Sequence, residues 1–303
     1  MAVVLMKAGA FVAVILMGNL LRRAGYFKEE DFYVLSKIVL KITLPAAIVS
    51  NFSGADMRPS MLVLTLLGLL SGLILIGTAF VVSLGKDKEE QAFNIVNLPG
   101  YNIGNFAMPF TQSFLGPGGV VATSLFDTGN AFICLGGSYS LAAMVKEKKG
   151  GFHILPILKT LVRSVPFDAY IIMTVLSLLH LSLPAPITTF AGIVANANAF
   201  LAMLMIGVGF KLTGDRSQMG RVVKILAARY SVGIVLALVF YFLLPLPLEY
   251  RQALTILALS PMASAAPAFT GTLKSDIGLS SAVNSLSVVI STVLITVTLL
   301  MIL

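Results

Sequence analysis

Apolar residues fall along this chain in ten long runs, separated by short joints that carry most of the charges. The runs lie near residues 3–23, 30–52, 59–84, 91–113, 117–145, 166–182, 187–212, 219–243, 250–272 and 277–302. A helix needs about 20 apolar residues to cross the hydrocarbon core of a bilayer. Each run therefore reads as one membrane span. The first is expected to be a retained span rather than a cleaved leader, because Arg22 and Arg23 follow the apolar stretch and Lys7 interrupts its start.

The joints alternate in charge. Those after spans 1, 3, 5, 7 and 9 hold fifteen Lys and Arg residues, from Arg22 and Arg23 through Lys86, Lys146, Lys159, Arg163 and Arg216 to Lys274. The opposite side holds three: Lys7, Arg58 and Arg251. Cytoplasmic loops carry the excess of Lys and Arg, so both termini are expected outside the cytoplasm, in the inner (cell) membrane. The most loop-like stretch, KEKKGG at 146–151, follows span 5. It divides the chain into a first five-helix repeat (1–145), a basic cytoplasmic connector (146–165), amphipathic in part, and a second five-helix repeat (166–303).

Five spans is an odd number, so the second repeat must insert upside down relative to the first, the plan of many secondary transporters. Two matching interruptions support it. Span 4 carries Pro99-Gly100, Asn102, Gly104, Asn105 and Pro109, and span 9 carries Pro261, Ser264 and Pro267. Pro109 and Pro267 lie 158 residues apart, each inside the fourth span of its half. Proline removes a helix donor and clashes with the preceding turn. Unwound backbone at membrane depth is tolerated only where it is buried in protein or lines a wet cavity. Broken spans at corresponding positions are the sequence pointer to a transport site, and the half-helix N-termini they create favour anions.

Composition narrows the class. The chain is 303 residues, 57% hydrophobic and 11% charged, with mean hydropathy +0.96; soluble domains carry about 25% charged residues. The net charge of +8 follows from the asymmetry of the loops and calls for no nucleic-acid partner. One cysteine, Cys134, excludes a disulfide scaffold, and His153 and His180 have no metal-ligand spacing. The sequence calls for no cofactor, metal or catalytic constellation, so an enzyme is not expected.

Charged side chains at bilayer depth are costly and often functional. Three sit near mid-span: Lys41, Asp127 and Arg229. Lys41 either faces the interrupted spans and attracts an anion or packs at a seam. Asp127, next to Thr128-Gly129-Asn130, either pairs with Arg229 or titrates as a proton carrier. Asn284 in span 10, near the inverted counterpart of Asp127, and Asn196 and Asn198 in span 7 read as interhelical hydrogen-bonding residues.

Several of these segments are similar to the auxin efflux carrier family of permeases, which includes plant PIN-type exporters and bacterial malate and malonate carriers. Asn102 to Pro109 resembles that family's Asn-x-x-x-x-Gly-x-Pro crossover, with Ala107 in place of the Gly. LRRAGYF at 21–27, the segment 35–52 with Leu44-Pro45-Ala46, Ile206-Gly207 and VVIST at 288–292 agree with its other helices. The resemblance implies an all-α polytopic fold of ten transmembrane helices in 5+5 inverted repeats, similar to sodium/proton antiporters and bile-acid symporters. Helices 4 and 9 would cross at their breaks. Helices 1, 2, 6 and 7 would form a scaffold that dimerises, and helices 3–5 and 8–10 a moving transport domain. It also implies that Asn102 contacts a substrate carboxylate.

The expected function is secondary transport of a small organic anion, driven by a proton or sodium gradient or by the membrane potential. An ion-coupled symporter of an amphipathic solute is the alternative. The candidate substrate residues are Asn102, Asn105, Pro109, Ser264, Pro267 and Lys41; the candidate coupling or ion-pair residues are Asp127, Arg229 and Asn284. Besides substrate and coupling ion, the expected partners are membrane lipid and a second copy of the chain.

Overall fold

The computed structural model describes residues 2–28, 30–52, 57–147, 153–210 and 218–303. Lys148 and Lys149 of the basic connector, and Lys211 and Arg216, lie outside the described residues. All regular structure among the described residues is helical. Seven helices are long and apolar enough to cross a membrane: α1 (Ala2–Arg23), α2 (Asp31–Phe52), α3 (Pro59–Val82), α6 (Gly116–Glu147), α9 (Ala185–Gly209), α10 (Met219–Phe242) and α13 (Ile277–Ile302). The pair α7 (Ile154–Leu161) and α8 (Val165–Leu178), bent by 77°, makes an eighth when counted as one.

The expected spans at 91–113 and 250–272 are each split into two pieces too short to cross alone. The first comprises α4 (Lys88–Asn97), a π turn at Ile103–Ala107 and α5 (Met108–Phe114). The second comprises α11 (Leu248–Ala258) and α12 (Ala266–Thr272). Pro267 sits in the first turn after its break, where its missing N–H would have had no intrahelical partner. Pro109 stands at the start of α5, directly after the π turn.

Lipid offers little hydrophobic drive between helices, so close backbone approach and interhelical hydrogen bonds must hold them. Large apolar side chains such as Leu5, Leu16, Phe190 and Ile193 accordingly point outward. Glycines supply the close approach at two crossings. A Cβ on Gly129 of α6 would stand 1.9 Å from the Thr65 carbonyl oxygen of α3, and one on Gly68 would stand 2.0 Å from that of Phe126. The α1–α9 crossing is built alike: a Cβ on Gly207 would lie 2.1 Å from the Ile15 carbonyl oxygen. Buried hydroxyl–amide bonds add specificity. Thr43 of α2 donates to Asn198 of α9 at 2.9 Å, and Asn97 of α4 donates to Thr270 of α12 at 2.9 Å and accepts from Ser280 of α13.

Candidate functional site at the two broken helices

The breaks meet. Pro99 denies the α4 end a donor, and Gly100 turns the chain at φ +79. A Cβ at Gly100 would lie 2.7 Å from the Cys134 sulfur, so glycine is required for space as well as for conformation. In the second break Ser260 and Pro261 follow α11. The Asn102 N–H donates to the Pro261 carbonyl at 2.9 Å, a direct backbone bond between the two breaks.

Arg229 of α10 fastens the same point. Its guanidinium donates to the carbonyls of Leu98, Gly100 (2.9 Å) and Ser260 (3.0 Å), and lies 5.0 Å from the Tyr101 ring centroid. These carbonyls belong to the C-terminal ends of α4 and α11, which carry partial negative charge and lack intrahelical donors. One fully buried cation thus satisfies both broken ends.

The pairing of Asp127 with Arg229 expected from the sequence is not formed. Asp127 instead accepts from Asn130 Nδ2 at 2.8 Å and from the Tyr170 hydroxyl of α8 at 2.9 Å. The physical reason is that the carbonyls of the breaks occupy the guanidinium. Tyr101 separates the two groups in the network, its ring against Arg229 and its backbone exchanging two bonds with the Asn130 amide at 2.9 and 3.0 Å.

Two cavities flank the crossing and share Asn102 and Ser264. The first, of 310 Å³, is lined by Lys41, Asn102, Asn105, Asp127, Arg163, Tyr170 and Ser264 among others. The second, of 450 Å³, is lined by Phe32, Ile206, Pro267, Asn284 and Ser285 as well as the shared pair. Asn105 donates to Ser264 at 3.3 Å, across the two breaks, and its side-chain oxygen is buried without a partner. Lys41, on the π turn of α2, and Arg163, before α8, are both exposed at the first cavity. Asn284 donates to the Ala263 carbonyl of the second break at 3.1 Å.

The candidate residues therefore divide. Lys41, Asn102, Asn105, Ser264 and Asp127 converge on the first cavity, and Asn102, Ser264, Pro267 and Asn284 on the second. Pro109 and Arg229 are buried and line neither. Sequence reasoning missed Arg163 and Tyr170. The first lies in a basic loop that topology alone explained, and the second is a lone phenol in an apolar run.

The model of the membrane transport protein family, which covers PIN-like auxin efflux carriers and bacterial transporters, matches residues 4–157. That is just over half of the chain and includes the whole first break. The chain belongs to the auxin efflux carrier family. No curated protein matches it. Its family and its apolar helices make it a multi-pass membrane transporter. The match ends inside α7 and so does not extend to the second break.

Proposed function

We propose that this transporter carries a small organic anion, a carboxylate, across the cell membrane by alternating access at the crossing of its two broken helices. One observation carries the reading: the first cavity is lined by amide and hydroxyl groups from the two broken segments (Asn102, Asn105, Ser264) together with two cations, Lys41 of α2 and Arg163 of the joint between α7 and α8. Amide and hydroxyl donors with nearby cations suit a carboxylate, and charge-assisted bonds are the strong ones. The volume of 310 Å³ lies at the lower end of ligand sites, about 300–1,000 Å³, and favours a compact solute over a large amphipathic one.

We read the chain as a 5+5 inverted repeat of ten spans, with α4–α5 as the fourth span and α11–α12 as the ninth. In this reading α1, α2, α8 and α9 form the scaffold, and α3–α6 with α10–α13 form the transport domain. The glycine crossings support it, since each lies within one group. Contacts between the groups suit a sliding seam. Phe11 of α1 meets Phe110 of α5 edge-on at 5.0 Å, and Lys7 donates to the Ser113 carbonyl at 2.7 Å. Both lie on the side expected to face outward. The first cavity is bordered by Arg163 and Pro166, near the connector expected to be cytoplasmic, which supports the reading of a carrier open to the cytoplasm.

A thermal-shift panel of mono- and dicarboxylates, with and without sodium, followed by counterflow in proteoliposomes, tests this function. Asn102→Ala removes a bond to a charged group worth about 1.5–3 kcal/mol, so the half-saturation concentration should rise about ten- to a hundredfold while the protein remains folded. Unchanged counterflow kinetics would remove the crossing from consideration as the site.

A further inference from the structure

Asp127 is a carboxylate inside the membrane that lines a cavity and makes no ion pair; the ion pairs among the described residues are Lys86–Glu90 and Lys146–Glu89. It is held by two hydrogen bonds from neutral donors, Asn130 and Tyr170. Unpaired charge at bilayer depth is costly and marks proton relays in carriers. The other interior charge of the proposed transport domain is Arg229, committed to the carbonyls of both breaks. The remaining charged groups of α4, α6, α10 and α11 lie near their ends.

We propose that Asp127 is a proton-binding site that couples anion movement to a proton gradient, an inference that rests on the proposed function. The charges balance as follows. With Asp127 ionised, Arg229 and Asp127 cancel, and an added anion makes the moving domain negative. With Asp127 protonated, the domain retains the positive charge of Arg229, and one negative charge of the cargo neutralises it. The proton comes from water in the first cavity, bonds to a carboxylate oxygen of Asp127 and leaves to water on the opposite side. No other bond is made or broken except hydrogen bonds.

The Tyr170 bond gives protonation a mechanical consequence. Tyr170 stands on α8, in the proposed scaffold, and Asp127 on α6, in the transport domain. An ionised carboxylate accepts a charge-assisted bond roughly twice as strong as a neutral one, so protonation loosens a bond that crosses the seam. The neighbours of Asp127 do not compete for this role. Tyr101 faces it from the first break, Cys134 from its own helix, and Lys41 and Arg163 across the cavity. Arg229 is held against the Tyr101 ring. Helix α3 contains no titratable residue, Lys159 of α7 is exposed, and Glu249 of α11 abuts Gly118 at the far end of α6.

Infrared difference spectroscopy of the purified full-length protein, titrated without substrate, tests the site directly. The wild-type acidification spectrum should contain a carboxylic-acid carbonyl component that the Asp127→Asn spectrum lacks, over the bands of the other carboxylates common to both, and that component should change frequency in Tyr170→Phe. Identical carbonyl regions in wild type and Asp127→Asn overturn the proposal; a component unmoved in Tyr170→Phe overturns the seam bond. In proteoliposomes with the membrane potential clamped and labelled malate as probe, each unit of inward proton gradient should concentrate malate about tenfold at one proton per anion. Asp127→Asn should reduce that ratio to one. Accumulation still driven by protons in Asp127→Asn, or driven in wild type by sodium and not by protons, refutes the coupling. Failure of malate counterflow in wild type would count against the anion-carrier reading, while the infrared titration still decides the proton site.

Discussion

Replacing Arg229 by methionine removes a side chain that binds backbone of both breaks at once. Three carbonyls, of Leu98, Gly100 and Ser260, lose a charged donor, and bonds to charged groups contribute about 1.5–3 kcal/mol each. The gross loss is thus about 4.5–9 kcal/mol, if the three add. Against it stands the cost of burying the guanidinium, several kcal/mol for an ion removed from water, which the variant no longer bears. The Nε of Arg229 has no partner, which adds to that cost. The difference is a net destabilisation of about 2–4 kcal/mol. At about 2 °C per kcal/mol for a chain of this size, the melting temperature in detergent should fall roughly 4–8 °C. The chain carries its own reporter: Cys134, the single cysteine, lies 3.6 Å from the Tyr101 carbonyl beside the break. A thiol-reactive fluorophore should label it earlier in a thermal ramp, and faster at room temperature, in Arg229→Met. Arg229→Lys should fall between the two proteins, because a compact ammonium cannot fork across both breaks. Melting within about 1 °C of wild type, with unchanged labelling of Cys134, would refute the clamp.

Gly129→Ala places a methyl group where a Cβ would lie 1.9 Å from the Thr65 carbonyl oxygen; α3 and α6 must separate, so folded yield in size-exclusion chromatography should drop sharply, whereas Gly77→Ala, with open space around it, should not change it. Asp276 caps α13 by accepting the Leu279 N–H at 2.8 Å, and that bond, with Gln218 and Arg221, lowers its carboxyl below the usual carboxylate range. Such a group stabilises the fold above the ordinary carboxylate value and loses that contribution as pH falls through its own lowered value; melting curves against pH should show an acid-side loss that Asp276→Asn flattens and Asp276→Ala replaces with a loss of about 1 kcal/mol at neutral pH. Lys41→Gln and Arg163→Gln should each weaken anion uptake most at low ionic strength, because exposed charges are screened by salt; uptake by both variants equal to wild type in dilute buffer would remove these cations from the site.

The breaks were legible because proline and glycine act locally: Pro99-Gly100 and Pro261 each stop a helix whatever surrounds them. The partner of Arg229 was not legible. Reasoning from side-chain charge offers Asp127 as the only interior anion, yet the acceptors that win are backbone carbonyls at two helix ends, which no residue letter records. Pro109 and Pro267 look alike in sequence and each begins a helix, but one is buried beside Phe110 and the other borders the second cavity. That difference depends on which neighbours each half-helix meets. Tyr170 reaches Asp127 across 43 positions of chain, a contact set by how α8 packs on α6 rather than by any periodicity.

Charge distinguishes the two cavities more than size does. They share Asn102 and Ser264, but the charged side chains lining them, Lys41, Asp127 and Arg163, all belong to the first; the second has none among its lining residues. Arg229 lies too deep to line either and has its charge covered by the carbonyls of the helix ends. A carboxylate at the crossing would therefore direct its charged end toward Lys41 and Arg163 and leave any apolar portion to the side lined by Ile206, Pro267 and Val288. Under the proposed coupling, Asp127 would oppose that anion while ionised and cease to oppose it once protonated, so the group that would carry the proton would also regulate entry of the cargo. Binding of the two should then be mutually reinforcing, since any effect of the proton on anion affinity must be returned equally by the anion on proton affinity.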